Sequence, residues 1–225
     1  MVCSLDAEIK AYAQFHECRF LFLADLVGRL LPNGGSVLDV GVSLQTQKLL
    51  EHCPGLRIDG LGLEDGRFVG LVRQHWHYDL DACTDEASWP SLPATYNLVL
   101  IAEVIEHLGV PPHRVLLGLK RYLKPGGYLI VQTPNAVSTW KRLKILVGKN
   151  PYEPLRTPKG AGHLREYSLD ELLAAGRQAG LEVAESYVEN YFGQRPPLRR
   201  AVYNLLCALM PRPARDGITV VFRQP

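Results

Sequence analysis

The sequence predicts an α/β fold: a largely parallel, doubly wound sheet of seven strands with helices on both faces. Three observations predict it. Seven short runs rich in Val, Ile, Leu and Tyr, at 36–40, 56–63, 75–80, 96–102, 127–132, 181–189 and 218–223, have the length of strands rather than helices. Stretches with apolar residues at helical spacing separate most of them, which is the alternation that builds parallel strands with crossover helices. The 225 residues, 47% hydrophobic and 21% charged, suffice for one substantial core, so residues 1–225 are expected to form one domain.

Taken in order, residues 5–31 place Ala11, Phe15, Phe20, Leu23, Leu26, Val27 and Leu30 at helical spacing, and Pro32-Asn33-Gly34-Gly35 stops them. One or two leading helices are expected within 1–34. Further helices are expected at 44–53, 65–73, 112–123 and 168–179. The last opens with Ser168-Leu169-Asp170-Glu171, a capping box in which Ser168 and Glu171 satisfy each other's amides. The run 96–102 is almost continuously apolar, as a strand covered on both faces must be. Lys124-Pro125-Gly126-Gly127 is a turn between a helix and a strand. Residues 135–166, rich in Pro, Gly, Lys and Arg, are too long for a plain connection and read as a lid or substrate segment.

Composition excludes several classes. No apolar run approaches the roughly 18–20 residues of a membrane span, and MVCSLDAEIK lacks the pattern of a secretory leader, so a cytoplasmic protein is expected. Five scattered cysteines without a C-x-x-C pair argue against a disulfide framework or a cysteine zinc site. Residues 1–134 carry 11 Lys/Arg against 15 Asp/Glu, and residues 135–225 carry 14 against 8. The basic second half suits an anionic partner or a solvated surface. No G-x-G-x-x-G occurs, and Gly62 stands where a nicotinamide-dependent dehydrogenase places an acid at the end of its second strand.

In such sheets ligands bind beyond the carboxyl ends of the strands, where strand order reverses. That singles out residues 39–45, 63–64, 79–81 and 103–107. Glu103, Glu106 and His107 lie three and four residues apart, so on a helix they share one face.

VLDVG (37–41), YNLVLIAEVIEHL (96–108) and LKPGGYLIVQTPN (123–135), in this order and spacing, resemble the class I S-adenosylmethionine-dependent methyltransferases over residues 35–190. The nearest resemblance is to the ubiquinone-pathway and lipopolysaccharide or sugar O-methyltransferase-like group. It implies a Rossmann-like seven-stranded sheet whose last strand is antiparallel, and a variable substrate-side helix at 191–216. It also implies cofactor contacts at Asp39, Gly41, Ser43, Gln45, Thr46, Glu64, Asp79, Leu80, Ala102 and Glu103.

The first glycine loop is a variant, because Ser43 and Gln45 replace the second and third glycines. S-adenosylmethionine has no pyrophosphate to lay against the loop, and Ser43, Gln45 and Thr46 offer side-chain contacts instead. Gly62 stands where the family places a ribose-binding acid, and Glu64 is the nearest substitute.

E-x-x-E-H also resembles the start of a two-Glu, two-His metal site in small-RNA 2′-O-methyltransferases, with His163 of GHLREY (162–167) at the position of the last histidine. The implied ligands of Mg²⁺ or Mn²⁺ are Glu103, Glu106, His107 and His163. Without metal, His107 or His163 is the candidate general base.

The expected activity is methyl transfer to a hydroxyl oxygen of a small metabolite, sugar or glycolipid. Two basic apolar stretches, WKRLKILV (140–147) and LRRAVYNLL (198–206), offer contacts to lipid headgroups, a sugar nucleotide or RNA phosphate. A metal-dependent RNA 2′-O-methyltransferase and a catalytically inactive binding module remain alternatives. The sparse Lys and Arg argue against RNA.

Overall fold

The computed structural model describes residues 2–63, 66–93, 95–154, 162–191 and 212–225, with side chains from residue 10 onward. Glu64, residues 155–161 of the expected lid and residues 192–211 of the expected late helix, including Arg199 and Arg200, lie outside the described residues.

The seven strands are β1 (Gly35–Val40), β2 (Leu56–Gly62), β3 (His75–His77), β4 (Tyr96–Ala102), β5 (Leu123–Pro134), β6 (Glu182–Glu189) and β7 (Gly217–Arg223). They form one sheet in the order β3-β2-β1-β4-β5-β7-β6. Strands β1 to β5 pair in parallel, and β7 runs antiparallel between β5 and β6. This is the doubly wound arrangement expected, with the reversal of strand order between β1 and β4.

Among the described residues the α-helices are α1 (Val2–Leu30), α2 (Leu44–His52), α3 (Pro112–Lys120), α4 (Thr139–Leu146) and α5 (Leu169–Gln178). The leading segment is one continuous helix. Leu23, Leu26 and Val27 of α1 pack with Val37, Ile58, Leu98 and Ile130 on one face of the sheet. On the other face, α3 and α5 supply Val115, Leu119, Leu172 and Ala175 to a core with Val40, Val99 and Val131. The alternating sides of β1, β4 and β5 thus both meet apolar partners, which is why these strands read as unbroken apolar runs.

Two local expectations are corrected. Among the described residues of the 65–73 stretch, 66–73, there is only a one-turn 3-10 segment, Val69–Leu71, and no α-helix. Gly66 and Gly70 each cost about 1 kcal/mol in a helix, and β-branched Val69 and Val72 add to the loss. Glu103, Glu106 and His107 do not share an α-helical face either. Glu103 has a left-handed backbone, φ 56°, and only Ile105–His107 makes a 3-10 turn. Leu108 is extended after that turn, Pro111 and Pro112 bar a helix from running on through residues 108–111, and α3 starts with Pro112 in its first turn. No described helix is long and apolar enough to cross a membrane.

Candidate active site

The carboxyl ends of β1 and β4 carry the first group of candidate residues. Asp39 is buried at the end of β1, and its Oδ2 accepts a 2.5 Å hydrogen bond from Thr46 Oγ1. Burial pushes its carboxyl up to about 7, and the Thr46 bond opposes the shift. Gly41 follows with φ 86°, and a Cβ there would sit 2.6 Å from Val104 Cγ2. Gly62, φ 138°, lies against the Gly41 backbone, so the end of β2 is built for bare backbone and not for a carboxylate.

Ser43 caps α2 and forms a capping box with Thr46: the Ser43 N–H donates to Thr46 Oγ1, and Ser43 Oγ accepts from the Gln45 N–H. Gln45 Nε2 donates to the Phe20 carbonyl of α1, while Gln45 Oε1 is buried with no hydrogen-bond partner among the described residues. The variant loop is thus cross-braced through the side chains that replace its glycines. At the third strand Asp79 accepts from the Asp81 N–H at the start of a 3-10 turn, and Leu80 is buried in the core. Ala102, half-buried at the end of β4, pairs with Gln132.

Glu103 projects from the switch point between β4 and the next turn. Its N–H donates to the Gln132 carbonyl, and its Oε1 is buried without a hydrogen-bond partner among the described residues. Burial, then the nearby Glu106 carboxylate, raise its carboxyl well above the usual range, and Arg19 and Lys141 oppose the shift. Arg19 is buried on α1 and donates to Gln132 Oε1 and His16 Nδ1, both at 3.3 Å.

A second cluster is assembled from positions far apart in sequence. Glu106 is fully buried; its Oε2 accepts from Thr133 Oγ1 at 2.9 Å, while Oε1 has no hydrogen-bond partner among the described residues. His107 Nε2 lies 3.9 Å and His163 Nε2 4.0 Å from that Oε1. His107 Nδ1 donates to the Gly162 carbonyl at 3.0 Å, and His163 Nδ1 donates to Glu166 Oε1 at 3.0 Å. Because a carbonyl and a carboxylate only accept, both neutral rings carry their proton on Nδ1, and both Nε2 lone pairs face Glu106.

Backbone bonds bring this cluster together. The Leu164 and Arg165 N–H groups both donate to the Glu106 carbonyl, at 2.8 and 3.1 Å, and Ala136 N–H donates to the Tyr167 carbonyl. Ligand atoms of Glu106, His107 and His163 all lie within 4.8 Å of one another, and Glu103 stands outside that group. Burial pushes Glu106 up to about 7, and burial followed by the neighbouring His107 lowers His163. A cavity of about 550 Å³ opens beside His163, lined also by Val137, Tyr152, Glu153, Leu164 and Glu166.

Four contributors escaped the sequence reading. Thr133 turns Glu106, Glu166 orients His163, and Lys141 bonds both Glu166 and the Asn135 carbonyl. Burial pulls Lys141 down to about 8. Arg19 alone left a signal, since it lies one helical turn from Phe15, Leu23 and His16 and so interrupts the buried stripe with a charge.

A family model described as "Methyltransferase domain" matches residues 15–186. This chain belongs to the methyltransferase domain family. No curated protein matches it significantly in sequence.

Among solved structures, this methyltransferase resembles a SAM-dependent methyltransferase from Thermotoga maritima described as a possible histamine N-methyltransferase. The TM-score is 0.59 at 18% identity, over 97% of this chain and 95% of that one. It also resembles an S-adenosylmethionine-dependent methyltransferase from Clostridium acetobutylicum, TM-score 0.58 at 12% identity, over 98% and 99% of the two chains. A third is the N-methyltransferase NodS from Bradyrhizobium japonicum, TM-score 0.54 at 15% identity, over 90% and 94%. These likenesses show the class I methyltransferase fold and leave the acceptor atom open.

Proposed function

We propose that this methyltransferase moves the methyl group of S-adenosylmethionine to a hydroxyl oxygen of a small metabolite, sugar or glycolipid, with the Glu106–His107–His163 cluster as the proton-accepting centre. One observation carries the reading: two Nε2 lone pairs and one unpartnered carboxylate oxygen converge beside an open cavity. A hydroxyl is a poor nucleophile until its proton is drawn off, whereas a neutral amine needs no such help. Converging acceptors therefore favour an oxygen.

The donor's sulfonium supplies an already activated methyl group, so much of the remaining task is positioning. Asp39, Gly41, Ser43, Gln45 and Thr46 are proposed to hold its methionyl part, with Glu64 on the ribose and Asp79, Leu80 and Ala102 toward the adenine side. The buried, unpartnered Gln45 Oε1 is an acceptor awaiting a donor, and a cationic ligand beside Glu103 would favour the ionised form that burial disfavours.

His163 and His107 divide the proton chemistry. His163 borders the cavity, and Glu166 fixes its tautomer so that Nε2 can receive the acceptor's proton. His107 is locked by the Gly162 carbonyl in the same tautomer. Thr133 occupies Glu106 Oε2 and leaves Oε1 toward the rings, where it stabilises the imidazolium that results.

The same three atoms, of mixed oxygen and imidazole character, fit Mg²⁺ or Mn²⁺, with Glu166 and Gly162 orienting the imidazoles. A divalent ion there would lower the pKa of an acceptor hydroxyl.

Calorimetry with S-adenosylhomocysteine, alone and with Mg²⁺ or Mn²⁺, followed by labelled-methyl transfer to panels of hydroxyl and amine acceptors, tests the proposal. Heat on binding and label on hydroxyls are expected. Label on amines alone would reject the oxygen reading, and no heat at high micromolar ligand would reject the enzyme.

A further inference from the structure

We propose that a second cavity, between α5 and the start of α3, binds a neutral planar heteroaromatic ligand of one or two rings and that this ligand activates the neighbouring Glu106–His107–His163 cluster; the activation rests on the methyl-transfer reading above. The cavity holds about 600 Å³, room for a small molecule. One wall is Leu108, Val110, Pro111 and Pro112. The other is the face of α5 shared by Glu171, Ala174, Ala175 and Gln178, at a spacing of three, four and seven residues. Neither the cluster residues nor those proposed to hold the donor line this cavity.

Its polar groups are uncommitted. Tyr167 is 3% exposed, and its hydroxyl makes no hydrogen bond among the described residues. The His113 and Gln178 side chains, on the same lining, make none there either. A buried hydroxyl without a partner is costly, and a ligand that accepts or donates at its edge removes that cost.

The lining also selects the ligand's charge and shape. Arg165 and Glu171 pair with each other at 2.7 Å, which leaves no uncompensated fixed charge to favour an anion or a cation. The guanidinium of Arg165 lies over the Tyr167 ring, 5.6 Å from its centroid. Two small residues, Ala174 and Ala175, open a slot opposite the flat rings of Pro111 and Pro112. A planar heteroaromatic ring offers two apolar faces to these walls and a polar edge to Tyr167, His113 and Gln178. An alkyl chain would leave the polar groups unmet, and a sugar would set hydroxyls against the prolines and alanines.

The cavity shares a wall with the reacting site. Leu164 and Arg165 line both this cavity and the one at His163, and their N–H groups hold the Glu106 carbonyl at 2.8 and 3.1 Å. On the other side Leu108 directly follows His107, and Gly109 N–H donates to Asp81 Oδ1 at 2.7 Å. A Cβ on Gly109 would lie 4.0 Å from Leu164 Cδ1, so the two segments already approach each other. A ring seated against both fixes their spacing and thereby the placement of Glu106, His107 and His163.

Calorimetry of the full chain with quinoline, indole and adenine as probes tests the site, with cyclohexanecarboxamide, benzoate and benzylamine as saturated, anionic and cationic controls. A planar neutral probe is expected to bind, with the controls about tenfold or more weaker. A174W, which fills the slot, should lose about tenfold or more of that affinity, and Y167F about fivefold. S-adenosylhomocysteine affinity and melting temperature should be unchanged in both variants. Saturating probe should raise kcat of methyl transfer about fivefold, leave the KM for S-adenosylmethionine unchanged, and shift the ring resonances of His107 and His163 in the wild type but not in A174W. Binding by no planar probe, wild-type affinity in A174W, or competition between probe and S-adenosylhomocysteine overturns the site. Binding that moves neither the histidine resonances nor kcat overturns the activation. The titrations and resonances need no turnover, so a failure to find any methyl acceptor rejects the transfer reading and leaves the site to be decided by them.

Discussion

Nδ1 of His163 lies 3.0 Å from Oε1 of Glu166, and the Glu166 carboxylate also takes the ammonium of Lys141. The carboxylate therefore pins the segment that carries His163, residues 162–168 ahead of α5, to α4, which carries Lys141. Replacing it removes the force that turns Nε2 toward Glu106. Glu166→Leu is expected to lower methyl transfer about 10- to 100-fold. Glu166→Gln, which keeps an acceptor oxygen, should recover part of the loss. Calorimetry should find S-adenosylhomocysteine affinity unchanged in both variants.

Asp39 makes stability fall with rising pH. Its folded pKa is pushed up to about 7 by burial, from an ordinary value of 3.8. A raised folded pKa means that the protonated form is favoured on folding, so its contribution is complete below about pH 4 and is lost as pH rises toward 7. The full effect is on the order of 4 kcal/mol. Asp39→Asn keeps an acceptor for Thr46 and removes the titration. Urea unfolding at pH 5 and pH 8 should show a smaller drop between the two values in Asp39→Asn than in the wild type.

Gly41 admits no side chain. Its φ of 86° strains any L residue, and a Cβ would meet Val104 Cγ2 at 2.6 Å. Gly41→Ala should cost about 2 kcal/mol from strain and contact combined. Adding Val104→Ala relieves the contact but not the backbone strain. Denaturation of the single and double variants should show that the second change recovers only part of the cost of the first.

Gly118 tests whether helix propensity or packing rules in α3. In an exposed helix Gly→Ala stabilises by about 1 kcal/mol. Here the added Cβ would fall 1.8 Å from Trp89 Cζ2. Gly118→Ala is expected to destabilise by about 1–3 kcal/mol. A rise in melting temperature would contradict the packing of Trp89 against α3.

The strands were legible because burial on both faces forces continuous apolar runs, as in 96–102 and 127–132. The capping box of Ser168 and Glu171 was legible because both partners lie within one turn. Residues 65–73 have apolar spacing that suits a helix, but Gly66 and Gly70 cost more than that spacing returns. The spacing of Glu103, Glu106 and His107 misled in a different way: it is helical arithmetic applied to a stretch whose Glu103 is left-handed and whose Leu108 is extended, with only a 3-10 turn between them. Glu106 and His107 still meet His163, but through backbone bonds from Leu164 and Arg165 to the Glu106 carbonyl.

By itself the sequence determined the strands and the chemical types at their carboxyl ends, which depend on local burial and short-range spacing, while the family resemblance implied the sheet topology. Only the tertiary structure decided that Gln45 ties its loop to the Phe20 carbonyl of α1, that Thr133 turns Glu106, and that Lys141 holds the Glu166 that orients His163. These are contacts between elements up to several tens of residues apart. Their distances and directions follow from how the sheet, α4 and the segment before α5 pack, which no local pattern of side chains encodes.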